Sequence, residues 1–132
     1  MVTAPRLNVV DSSAWLAYLA DDATAPQFAE AIEDTANLVV PTICILEVFK
    51  VVARQRDEVD ATQAATVMLQ GTVVDLDATL ALAAARIGLA RKLPLADSVV
   101  YATAQQAGAI LWTQDADFMG LPDVRYVPRS AG

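Results

Sequence analysis

The stretch Leu7-Asn8-Val9-Val10-Asp11-Ser12-Ser13-Ala14-Trp15 decides the fold. Leu7 to Val10 is too short and too apolar for a surface helix, and reads as a strand buried on both faces, as in parallel sheets. An acid and two serines follow at once, with Ala14 and Trp15 behind them, so the strand runs directly into a helix. The same kind of strand recurs in Asn37-Leu38-Val39-Val40, Thr72-Val73-Val74-Asp75-Leu76, Ala109-Ile110-Leu111-Trp112-Thr113 and Val124-Arg125-Tyr126-Val127. The segments between them have helical spacing. Ile45, Val48, Phe49 and Val52 fill one stripe of a helix over 43–52. Residues 77–92 and 95–107 read as two further helices, divided by Pro94, the second ending at Gly108. This alternation predicts an α/β fold with a central, mainly parallel five-stranded sheet covered on both faces.

Composition bounds the chemistry. The 132 residues fit one domain spanning 1–132, with 128–132 expected as a loose C-terminal tail. Apolar residues make up 55 % and charged ones 19 %, which suits a packed core rather than disorder. Sixteen acids against nine bases give a net charge of -7, so a phosphate-bearing ligand needs help against repulsion. There is no histidine, which removes Ser-His-Asp triads, Cys-His pairs and imidazole metal sites. The one cysteine, Cys44, makes neither an intrachain disulfide nor a zinc cluster, and suits a reducing, cytoplasmic compartment. The first residues make a poor signal peptide, and charged residues break every longer apolar run, so no membrane role is expected.

Chemistry must then come from carboxylates, and ligands of parallel sheets sit beyond the carboxyl ends of strands. Asp11 follows the first strand directly; its plain alternative is a helix N-cap, a task Ser12 or Ser13 could take over. Glu47 shares a polar stripe with Lys50 and Arg54, where an i, i+3 ion pair to Lys50 would contribute about a few tenths of a kcal/mol. Asp97 lies on an apolar stripe with Val100, Tyr101 and Ala104, an unusual place for an unpaired acid. Near a helix start it also suits the dipole. Asp115 and Asp117 follow the fourth strand, where an Asx-type turn bond would explain either. Gathered into one crevice, these acids repel one another or take up protons. A divalent cation removes that conflict, and oxygen-only donors select Mg2+ or Mn2+ over Zn2+.

The quartet Asp11, Glu47, Asp97 and Asp115, with its flanks, resembles the PIN-domain ribonucleases, in particular the VapC-type toxins of toxin–antitoxin pairs. The likeness rests on Val10-Asp11-Ser12-Ser13-Ala14-Trp15, on Pro41-Thr42-Ile43-Cys44-Ile45-Leu46-Glu47, on Leu93-Pro94-Leu95-Ala96-Asp97-Ser98-Val99-Val100-Tyr101-Ala102, and on Thr113-Gln114-Asp115-Ala116-Asp117-Phe118. It implies a three-layer αβα sandwich with strand order 3-2-1-4-5, and Mg2+- or Mn2+-dependent endonucleolytic cleavage of RNA by one or two ions. It also implies a homodimer, and a VapB-type antitoxin that blocks the acidic site and alone contacts DNA. Carried over residue by residue, Asp11, Asp97 and Asp115 are metal ligands and Glu47 serves a second ion or the attacking water. Asp117 is either a fifth acid or a turn residue. Ser12, Thr113 and Ser98 are expected to hold carboxylates in place. Lys50, Arg54, Arg86, Arg91 and Lys92 are expected to steer RNA phosphates, against the plainer reading of solvated helix faces.

Two other readings remain at this point. A catalytically silent PIN-like binding or regulatory module would keep the fold without cleavage, although a decayed site should have lost an acid. A phosphoacceptor receiver would use Asp75 but needs a late lysine, and none follows Lys92. Nucleotide-binding loops fail because Gly71, Gly88, Gly108, Gly120 and Gly132 are too scattered to cradle phosphates.

Overall fold

The computed structural model describes residues 6–129. Strands β1 (Asn8–Val10), β2 (Leu38–Pro41), β3 (Thr72–Val74), β4 (Ile110–Thr113) and β5 (Val124–Tyr126) form one sheet. Its order is β3-β2-β1-β4-β5, and all four pairings are parallel. Helices α1 (Ser12–Leu19) and α2 (Ala25–Glu33) link β1 to β2, while α3 (Thr42–Gln55) and α4 (Glu58–Met68) link β2 to β3. The return crossover from β3 to β4 carries α5 (Ala78–Arg91) and α6 (Leu95–Ala107). The first two crossovers step one way along the sheet and the third steps back. Right-handed connections therefore set α1–α4 on one face and α5–α6 on the other. This is the three-layer αβα sandwich with order 3-2-1-4-5.

The apolar runs become strands for the reason expected: Val9, Val10, Val40 and Leu111 are fully buried between helical layers. Val48 is fully buried and Ile45 and Val52 pack on the same core, so the predicted stripe of α3 faces inward. The exception is β3, where Thr72 and Val73 are exposed. It is an edge strand with a neighbour on one side only, a fact its sequence does not carry. Four strands are shorter than their apolar runs, with Leu7, Asp75, Leu76, Ala109 and Val127 outside the strands, and β2 is shifted by one residue, losing Asn37 and gaining Pro41.

Helix ends follow local chemistry. The Asp77 side chain caps α5 by accepting from the Leu80 N–H at 2.8 Å, and Asp57 does the same for α4. Gly108 closes α6 with φ of 65°, in the left-handed region that glycine occupies without strain. Helices α5 and α6 approach closely at Gly88, where an added Cβ would lie 2.5 Å from Ser98 Oγ. Among the described residues no helix is long and apolar enough to cross a membrane. Of the expected loose tail, residues 130–132 lie outside the described residues.

Candidate metal centre

Strand order reverses between β1 and β4, which are direct neighbours, and their carboxyl ends deliver Asp11 and Asp115. Asp11 continues β1, its N–H donating to the Trp112 carbonyl at 2.9 Å. It holds the N-cap position of α1 through its carbonyl, which accepts from Ala14 and Trp15, while its side chain makes no cap bond. Its carboxylate is spent on tertiary contacts instead. Oδ2 accepts from Ser13 Oγ at 2.7 Å and from Thr113 Oγ1 at 2.9 Å. Each hydroxyl has one hydrogen, so both donate to Asp11, and Thr113 Oγ1 in turn accepts the Asp115 N–H at 2.9 Å. Burial raises the Asp11 pKa, the two hydroxyls pull it part of the way back, and the charge of Asp115 pushes it up again.

The serines therefore do not cap α1. Ser12 Oγ donates to Glu47 Oε1 at 2.7 Å, drawing α3 onto the start of α1. The expected Glu47–Lys50 pair is absent: the ion pairs among the described residues are Arg6–Asp123 and Arg56–Asp60. Glu47 is half-buried against Ser12 rather than lying on a wet stripe, because a fixed buried donor outcompetes a flexible exposed lysine. Cys44, fully buried beside this group, has its thiol pushed up by burial and by Asp11, which leaves it protonated and inert.

The acids whose oxygens converge are Asp97, Asp115 and Asp117, with one ligand atom from each within 4.8 Å of the others. Asp97 sits in the first turn of α6, behind Pro94, and caps nothing. Burial, then the charges of Asp115 and Asp11, then a hydrogen bond and charge from Asp117, push its carboxyl up to about 8. Asp115 Oδ1 accepts the Asp117 N–H at 2.9 Å, so the Asx-type bond and the clustering coexist. Of the expected ligands Asp11, Asp97, Asp115, Glu47 and, as a fifth acid, Asp117, the converging group holds Asp97, Asp115 and exposed Asp117. Asp11 adds its charge to Asp97 from the end of β1, and Glu47 is held by Ser12.

Ser98 is a correction of another kind. Its hydroxyl is directed at the carbonyls of Leu93 and Pro94, at 3.2 and 2.9 Å, and so closes the first turn of α6 instead of holding an acid. Thr113 and Ser12 do hold acids. Lys50, Arg54, Arg86, Arg91 and Lys92 are all exposed, as either of their readings requires. Sequence reasoning missed Gln114 and Thr24, which are buried and bonded to each other at 2.9 Å beside the acids. A groove of about 920 Å3 between α1 and the α3–α4 pair ends on Ser13 and Gln114, with Leu16, Val51 and Val67 among its walls.

Within the converging group, burial and the charges of Asp115 and Asp117 raise the proton affinity of Asp97, as expected at a site short of positive charge. Hard divalent cations of the Mg2+ or Mn2+ kind fit such an oxygen-only set. The PIN domain family profile matches residues 9–123, most of the chain and every one of these acids. The chain belongs to the PIN domain family. No curated protein matches it in sequence. Several solved structures resemble it in shape. A toxin–antitoxin complex from Klebsiella pneumoniae superposes with a TM-score of 0.77 at 21 % identity, covering 89 % of this chain and 95 % of that one. VapC20 of Mycobacterium tuberculosis, described as a Sarcin-Ricin loop cleaving toxin, gives 0.72 at 20 % identity, covering 87 % and 95 %. DNA-bound VapBC from Salmonella typhimurium gives 0.71 at 15 % identity, covering 94 % and 98 %. At such identities the likeness is one of fold.

Proposed function

We propose that this PIN domain is a Mg2+- or Mn2+-dependent endoribonuclease, the VapC-type toxin of a toxin–antitoxin pair acting in the cytoplasm. The observation that carries the reading is the convergence of Asp97, Asp115 and Asp117 at the sheet's reversal point, backed by Asp11 and Glu47. The converging three, with Asp11 beside them, would hold the cation, and Glu47, fixed by Ser12, would serve a second ion or orient the attacking water. When bound, the cation neutralises the phosphodiester and lowers the pKa of that water. Exposed Arg91 and Lys92 end α5, a few residues before Asp97, and receive the flanking phosphates. Lys50, Arg54 and Arg86 extend that role along α3 and α5. The cation, rather than the net charge of -7, draws RNA to the site.

The regulatory partner is a VapB-type antitoxin whose basic residue neutralises the acids and which supplies the contacts to DNA. Fold relatives that are toxin–antitoxin complexes support this, as does the mixed polar and apolar groove whose lining includes Ser13 and Gln114, partners of the acid-bearing segments. A homodimer is supported by Leu82 and Leu89, seven residues apart on α5 and 59 % and 84 % exposed. Asp97→Asn keeps shape and removes charge. It is expected to abolish Mn2+-dependent cleavage of a structured RNA while the fold persists by circular dichroism. Full activity of that variant, or of the wild type in excess EDTA, refutes the reading. Tight Mn2+ binding without cleavage of any RNA assigns a silent binding module instead.

A further inference from the structure

The segment carrying Asp115 and Asp117 leaves β4 at Thr113 and rejoins the core at Phe118, which is fully buried. Gln114 stands at its first bend and is 6 % exposed. A buried amide must find partners for both ends. Oε1 accepts from Thr24 Oγ1 at 2.9 Å, and Nε2 donates to the Ser13 carbonyl at 3.4 Å. The Gln114 backbone N–H reaches Ser13 Oγ at 3.3 Å, the same hydroxyl that donates to Asp11.

Thr24 makes the arrangement informative. It occupies the N-cap position of α2, where threonine ordinarily accepts from the helix's own N–H groups, yet it makes no cap bond. Its side chain, 5 % exposed, gives its hydrogen to Gln114. Proline at the second position of α2 removes an N–H that a cap would serve, so the hydroxyl is free for a contact across 90 residues of chain. Gln114 thereby ties the acid-bearing segment to the starts of both α1 and α2, while Phe118 ties the far end.

We propose that Gln114 is a positioning residue: its amide latches the Asp115–Asp117 segment to Ser13 and Thr24 and so sets the two carboxylates against Asp97. The inference rests on reading the three acids as a cation site. Thr24→Val tests it, because it conserves shape, costs no cap bond, touches no carboxylate and leaves Gln114 Oε1 without its donor. In metal-free protein the amides of Asp115 and Asp117, which are bonded within the segment, should exchange hydrogen about tenfold faster, with β1 and β4 unchanged. The dissociation constant for Mn2+, followed by paramagnetic resonance, should rise about tenfold or more, as when outer partners of metal ligands are lost.

Unchanged exchange at Asp115 and Asp117, or equal acceleration throughout the sheet, overturns the latch and leaves Gln114 a packing residue. Unchanged Mn2+ affinity in a locally loosened segment overturns it as well. Gln114→Met, which keeps the side chain's length without its amide, gives the same readouts should Thr24→Val fail to fold. If the wild type itself binds no Mn2+, the cation reading falls, and exchange alone then decides the latch.

Discussion

Removing the charge of Asp97 should stabilise the metal-free protein, and the size of the gain follows from its surroundings. The carboxyl is pushed from an ordinary 3.8 up to about 8 by burial and by Asp115, Asp11 and Asp117. A carboxyl whose folded pKa is raised favours the protonated folded state. Its contribution is complete below about pH 4 and is lost as pH rises through about 8. At 1.36 kcal/mol per unit, the full shift would be worth about 5–6 kcal/mol. Asp97 is only half-buried, however, and solvent screening reduces the expected effect to about 1–3 kcal/mol. The absence of histidine makes the measurement clean, because no imidazole titrates between pH 6 and 8.5 to obscure it. Thermal melts in EDTA should show the wild type losing that stability as pH rises from about 4 to about 8, and Asp97→Asn with a shallower slope over that range. At pH 8.5 the variant should melt about 3–10 °C higher for a domain of this size. A variant that melts lower than the wild type at pH 8.5, or shows the same pH slope, refutes the claim that these acids repel one another.

Other consequences concern single contacts. Ser12→Ala removes the donor that holds Glu47 Oε1 and should lower RNA cleavage about 10–100-fold with KM nearly unchanged; an unaltered kcat would place Glu47 outside the chemistry. Gly88→Ala puts a methyl 2.5 Å from Ser98 Oγ. It should cost about 1–3 kcal/mol by urea unfolding, as over-packing does, and a neutral result would mean that α5 and α6 approach less closely.

The strands were legible because a sheet covered on both faces must be apolar throughout, which is why Leu38-Val39-Val40 and Ile110-Leu111 stand out. Their spatial order was not: nothing in Thr72-Val73-Val74 distinguishes an edge from a centre, and the order followed from family resemblance. The acids were legible as strand-end and stripe anomalies, but their grouping was not. Local propensity assigns Ser12 and Ser13 to capping, whereas Glu47 on α3 takes the Ser12 hydroxyl and Asp11, with the Gln114 N–H beyond β4, takes that of Ser13. The same blindness to distant partners hid Gln114 and Thr24, whose burial depends on the α1–α2 turn meeting the end of β4. Asp117 was left undecided because turn-making and ligation look alike in sequence; the turn bond is made by the Asp115 side chain, which leaves the Asp117 carboxylate free to converge with Asp97 and Asp115.

Several of the acids have already spent an oxygen on the protein itself. Oδ2 of Asp11 serves two hydroxyls, Oδ1 of Asp115 serves an amide and Oε1 of Glu47 serves a serine. Among the three converging acids it is Asp115 that has an oxygen so engaged, which would leave its other arm to meet an ion. Calcium, which wants six to eight oxygens and welcomes chelation by both arms, would be poorly housed, whereas magnesium, small and content to retain its own waters, would not. If the acids hold an ion as proposed, the wiring of Asp115 would favour the smaller of two ions of equal charge.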